Sequence, residues 1–192
     1  MEVKKDINLE NPQDKMADLM TVSEVDNFVH VVENDLVIST ADESHVRETA
    51  ELWANLATIQ QIYAPERYNF APSGKDWRAF VRSKMEKEHN LLLVAHNKGS
   101  VEIKGFLYLQ TITIPSTNLV LKGVIEDIYT KPQHRKKNIA ASLLKVALLW
   151  AEKQKIKQVD LITISKSNDL IQFYLKFIKE YKNDIDLQLV TV

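Results

Sequence analysis

The chain has 192 residues, 45% of them hydrophobic and 27% charged, with a formal net charge of −1. That length suffices for one domain with a proper core, and the near-zero charge gives no global field to recruit nucleic acid or anionic lipid. With no cysteine in the sequence, disulfides, thiolate nucleophiles and cysteine zinc sites are excluded.

Residues 1–34 read as an N-terminal extension and residues 35–192 as a single domain. The first twenty residues, MEVKKDINLENPQDKMADLM, lack the apolar core of a signal peptide. No run approaches the roughly 18 apolar residues of a membrane span, so a cytoplasmic protein is expected. Asn11 and Pro12 are placed to open a short helix. FVHVVENDLVIST, 28–40, reads as two short strands around Asn34. Thr40 and Glu43 then form a capping box. Val46, Ala50, Trp53, Leu56, Ala57 and Ile59 recur at helical spacing, which predicts a first long helix. APERYNFAPSG breaks it, and Ser73 with Asp76 caps a second helix, KDWRAFVRSKMEKEHN.

The pattern then changes to strands: LLLVAHN (91–97), VEIKGFLYLQTITI (101–114) and NLVLKGVIEDIYT (118–130), joined by the turns NKGS and PSTN. A helix follows over about 138–153, with Ile139, Leu143, Ala147 and Trp150 in one row and Ala140, Leu144 and Leu148 in the next. QVDLITIS is a near-continuous apolar strand, the pattern of a strand covered on both faces. Strand, helix, strand implies a right-handed parallel crossover. A last helix, about 168–182, carries Leu170, Phe173, Tyr174, Phe177 and Tyr181 on one face, and DIDLQLVTV closes the chain as a strand. The fold class is α/β with α+β character: a mixed central sheet, an antiparallel meander followed by a β-α-β unit, and helices on both faces.

Two stretches carry candidate chemistry. In TKPQHRKKNIAASLLKVALLW, His134, Arg135, Lys136 and Lys137 stand directly before a helix. Cations oppose the macrodipole at that end, so a bound anion would account for them. Free N–H groups at a helix start suit an anion too. The alternatives are a solvated basic turn or a nonspecific nucleic-acid patch. The low net charge and the lack of an aromatic-basic stripe disfavour the second. In VIEDIY, Glu126 and Asp127 interrupt an apolar strand, and alternation places them on opposite faces. Such charges mark either a site or a strand-edge ion pair. The histidines at 30, 45, 89, 96 and 134 show no metal-ligand spacing.

This order of elements resembles the GNAT superfamily of acyl-CoA-dependent N-acetyltransferases over about residues 36–182. The likeness is strongest in GVIEDIYTKPQHRKKNIAASLLKVALLWAEKQKIKQVDLITISKSNDLIQFY. It implies that Ile128, Tyr129 and Thr130 end the strand that lies beside the cofactor, with an oxyanion-binding backbone N–H among them. It also implies that Arg135, Lys136, Lys137, Asn138, Ile139 and Ala140 wrap the pyrophosphate of acetyl-CoA. Asn138 and Ala140 stand where the family places glycines, and Asn is the best substitute where the backbone turns left-handed. Tyr174 matches the family's general acid. The register puts Ser167 and Leu170 at the accompanying Asn and Ala, with Asn168, the other cofactor-binding candidate, one residue off. Glu126 lies two residues beyond the family's Glu position, which is Val124 here, and is the candidate base. ERYNF with Trp77 falls where the family builds its acceptor pocket.

The resemblance thus implies transfer of an acetyl group from acetyl-CoA to a primary amine of a small molecule or protein. The attack is direct, in a ternary complex, and involves no metal, nucleic acid or membrane. The alternative is a catalytically silent domain that binds an acyl-CoA as sensor or scaffold. One strand follows the last helix where the family often has two. The N-terminal extension or a partner's strand would fill that edge, which leaves a homodimer open.

Overall fold

The computed structural model describes residues 29–31, 35–68, 74–87, 89–115 and 120–192. The expected helix at 11–14, the cap at Ser73 and the PSTN joint fall outside the described residues.

Among the described residues seven strands form one open sheet in the order β1-β2-β3-β4-β5-β6-β7. They are β1 (Val29–Val31), β2 (Leu36–Thr40), β3 (Leu91–Asn97), β4 (Ile103–Ile114), β5 (Val120–Thr130), β6 (Gln158–Thr163) and β7 (Asp186–Thr191). The first five pair antiparallel. β5 with β6 and β6 with β7 pair parallel. Residues 29–31, within the segment read as an extension, pair with β2 at the sheet edge.

Among the described residues four helices cover the sheet: α1 (Val46–Tyr63), α2 (Gly74–Met85), α3 (Ile139–Lys153) and α4 (Asn168–Glu180). The two parallel crossovers step the same way across the sheet, and right-handed crossovers then place both helices on one face. Packing agrees. Leu143, Leu144, Ala147 and Leu148 of α3 and Tyr174 and Phe177 of α4 share a core with Leu91, Leu93 and Ala95 of β3. On the other face, Trp53 of α1 and Trp77 and Val81 of α2 pack on Leu92 and Val94. LLLVA in β3 is apolar throughout because both of its faces are covered. Each such side chain contributes about 1.5–3 kcal/mol through burial.

Two details differ from the sequence expectation. Thr40 ends β2 instead of capping a helix. Asp42 is the cap, accepting from the Ser44 N–H at 2.9 Å, while the His45 Nδ1 accepts the Asp42 N–H at 3.1 Å. A 3-10 turn over Glu43–His45 intervenes before α1. Asp42 stands directly before the turn, where its carboxylate meets the free N–H groups, and Thr40 is held in the ladder opposite Leu93. β6 is not covered alike on both faces. Val159, Leu161 and Thr163 are buried, while Asp160 on the other face is ion-paired to Lys122 of β5 at 2.7 Å.

Candidate active site

The site begins with a fault in the ladder between β4 and β5. Tyr108 pairs with Asp127, but the next pair is Leu109 with Ile125, so Glu126 is an extra residue on β5. Such a bulge bends the strand and raises its local twist. Pairing between β5 and β6 ends at Ile125 and Leu161, one residue short of the bulge. Beyond that point the two parallel strands part.

A cleft of about 490 Å³, open mouth included, occupies the gap. Gln60 and Tyr63 of α1, Tyr68, Glu126, Asp127 and Ile128 of β5, Thr163 of β6, and Ser167 and Tyr174 of α4 are among its walls. The alternation argument fails here. Asp127 was expected on the face opposite Glu126, but the bulge turns both towards the α1/α2 side. The Trp53 indole N–H and the Gln60 amide each donate to Asp127 at 3.0 Å. Glu126 pairs with Lys84 of α2 at 3.4 Å. The Lys84 ammonium also lies 4.4 Å from the Tyr108 ring centre and 5.2 Å from that of Phe80. Gln60, Trp53 and Lys84 were not singled out from sequence as site residues. The only signal was the pair of adjacent carboxylates in an apolar strand.

Burial pushes the Asp127 carboxyl above the usual carboxylate range, against the pull of the Gln60 and Trp53 hydrogen bonds. Tyr174 is 1% exposed. Burial first, and the charge of Asp127 second, raise its phenol well above the ordinary value. Its hydroxyl therefore keeps its proton at neutral pH, as a proton donor must. Asn168 is exposed and lies off the cleft, whereas Ser167, the residue preceding α4, lines it. Ile128 lines the cleft, while Tyr129 is buried on the α1/α2 face. The Thr130 hydroxyl oxygen is buried without a partner, as is that of Thr163 in the cleft wall.

After β5 the chain makes a 3-10 turn over Pro132–His134 and reaches α3 through Arg135–Asn138. Lys136 and Asn138 both adopt left-handed backbone, each at φ 59°. The Asn138 side chain makes no capping bond to the first turn of α3. That turn's N–H groups are left for another acceptor. Arg135, Lys136, Lys137 and Asn138 are exposed, Ala140 is partly so, and Ile139 is buried in the core. Arg135 folds back along the strand: its Nε donates to the Thr130 carbonyl at 3.2 Å, and its guanidinium lies 5.8 Å from the Tyr129 ring centre. Asn138→Gly is expected to be tolerated, and Asn138→Val to disrupt the loop, because a β-branched residue resists positive φ. Calorimetric affinities for acetyl-CoA measured on both variants check this; equal values would rule the loop out.

Among the described residues no cluster of His, Asp or Glu could hold a metal ion, and no helix is long and apolar enough to cross a membrane.

The open mixed sheet thus parts between two parallel strands, and a basic loop leads into the crossover helix. The model of the Acetyltransferase (GNAT) family matches residues 53–177, and the chain belongs to that family. Solved structures share the fold. A transcriptional regulator from Bacillus halodurans C-125 superposes with a TM-score of 0.61 at 18% identity, over 79% of this chain and 95% of that one. A ribosomal-protein-alanine N-acetyltransferase from Brucella melitensis biovar Abortus 2308 gives 0.57 at 22% identity, over 73% and 89%. A predicted acetyltransferase with acetyl-CoA from Clostridium acetobutylicum gives 0.52 at 18% identity, over 77% and 90%. No curated protein matches the chain.

Proposed function

We propose that this GNAT-family acyltransferase moves the acetyl group of acetyl-CoA onto a primary amine by direct attack, within a single domain spanning 35–192. The observation that carries the reading is the cleft at the parting of β5 and β6. It has Glu126 on one wall and Tyr174 on another, and the strand that forms it runs on into the basic loop.

The loop residues fit an acyl-CoA. Two left-handed residues turn the backbone, the first turn of α3 has no side-chain cap at Asn138, and Arg135, Lys136 and Lys137 are exposed cations. Backbone N–H groups with the helix dipole would hold the pyrophosphate, and the cations would add charge-assisted bonds. The backbone of Ile128, Tyr129 and Thr130 would lie beside the pantetheine arm and donate to the oxyanion. Asn168, exposed at the first position of α4, stays a candidate contact for the cofactor, with Ser167 beside it in the cleft wall.

In the transfer, Glu126 accepts a proton from the acceptor ammonium through water. The freed nitrogen lone pair bonds to the thioester carbonyl carbon, and the carbon–sulfur bond then breaks. Tyr174 gives its hydroxyl proton to the departing thiolate and recovers one from the adduct nitrogen, which sheds its remaining extra proton as the amide forms.

Charge reversal at Arg135 or Lys136 is expected to weaken acetyl-CoA binding by at least about 1.5 kcal/mol, the low end for a charge-assisted hydrogen bond. Calorimetry on Arg135→Glu and Lys136→Glu tests this. Unchanged affinity in both would remove the loop from the cofactor site. If acetyl-CoA binds and no amine in a broad panel is acetylated, the silent acyl-CoA-binding domain becomes the better reading.

A further inference from the structure

The acceptor end of the cleft has an asymmetry of charge. Glu126 already has a cation beside it, the Lys84 ammonium at 3.4 Å. Asp127 does not. Its two oxygens each accept from a neutral donor, Gln60 and Trp53, and among the described residues no cation stands within salt-bridge distance. A carboxylate in a partly buried wall without a counter-charge is costly, and a ligand cation would offset that cost.

Apart from the Arg67 guanidinium, 5.9 Å from the Tyr68 ring centre, the α1 side of this end is largely apolar or aromatic. Leu56, Ile59 and Tyr63 lie along α1, with Tyr68 just beyond it. Tyr63 is 42% exposed, a large ring open to solvent in the cleft wall. These α1 residues lie inside a regular helix, whose main-chain groups are bonded to one another. The α1 wall therefore offers rings and branched side chains but no main-chain partners for a peptide.

From this juxtaposition, and resting on the transfer reading above, we infer that the acceptor is a small monoamine with an aromatic or apolar body. Its ammonium sits against Asp127 and its body lies on Tyr63, Tyr68 and Ile59. A polyamine would bring a second cation for which this end has no second uncompensated carboxylate. Asp127 then binds substrate directly, and Glu126, nearer to solvent, takes the proton.

The test uses the full chain with acetyl-CoA and four acceptors: 2-phenylethylamine, ethylamine, spermidine and a short lysine-containing peptide. The expected result is a kcat/KM for 2-phenylethylamine about tenfold or more above each of the others. Asp127→Asn should raise KM for 2-phenylethylamine on the order of 10–100-fold while the acetyl-CoA KM holds. Because Asp127 ties α1 to β5 and its variant risks misfolding, Tyr63→Ala serves as a second probe at an exposed position. It should reduce the preference for 2-phenylethylamine over ethylamine several-fold. Preference for spermidine or the peptide, or a Tyr63→Ala variant with an unchanged preference, would overturn the inference and leave acetyl transfer standing. Should no amine be acetylated, calorimetry of 2-phenylethylamine against the CoA-loaded protein decides. Binding that weakens in Tyr63→Ala supports this acceptor class while transfer fails, and no binding overturns it.

Discussion

Tyr174→Phe is expected to lower kcat by about 10²–10⁴, the usual size for a lost general acid, with acetyl-CoA affinity little changed. The substitution removes one oxygen and keeps the ring, which packs beside Phe173 at 5.6 Å between centroids within the α3/α4 core. The fold should therefore hold. A purely structural tyrosine would show the opposite pattern, with stability lower by about 1 kcal/mol and turnover intact. Burial and Asp127 hold the phenol above its ordinary value. It therefore stays protonated through the neutral range, and the acidic limb of the wild-type pH–rate profile should persist in shape. Steady-state kinetics with any accepted amine, and a thermal melt alongside, separate the two roles. A variant that melts lower and turns over at the wild-type rate would take Tyr174 out of the mechanism.

Gly105→Ala is expected to cost about 3 kcal/mol, which for a chain of this size lowers Tm by about 6–12 °C. A Cβ at this position would stand 2.5 Å from the Tyr129 carbonyl oxygen and 3.2 Å from the Thr130 Cα. Both obstacles are backbone and cannot rotate away. Gly105 pairs with Thr130, so the strain falls on the end of β5, where the chain enters the basic loop. Acetyl-CoA binding should weaken along with stability. Gly123→Ala is the internal control. Its nearest obstacle is a Val159 methyl at 3.0 Å, a side chain that can shift, so the loss should be clearly smaller. Equal melting temperatures for the two variants would mean that β4 and β5 tolerate separation at this point.

Much of this architecture was legible in the chain because it rests on local pattern. The meander, the crossover through α3 and the apolar row of α4 follow from periodicity. The left-handed turn at Asn138 follows from the family resemblance, which puts a glycine there, and from the residue type best able to replace it. What escaped is set by register. Nothing in VIEDIY says that Glu126 is an added residue, because a bulge depends on how β4 lines up across the ladder. The sequence therefore placed Asp127 on the wrong face and missed its partners on α1, which lie 67 and 74 positions away in the chain. Thr40 misled for a similar reason. It has the chemistry of a helix cap, but pairing with β3 claims it first.

The extra residue at 126 also bears on how this site can change over time. Most binding sites are altered by exchanging one side chain for another. Here, removing a single residue from β5 would let Tyr108 and Leu109 face consecutive partners and restore an even ladder. The sheet would survive such a deletion with every core side chain still in place. The strand would lose the bend that carries it away from β6, and the gap between them would close. The cleft is thus written partly as a residue count, and a one-codon loss could silence it without unfolding the domain.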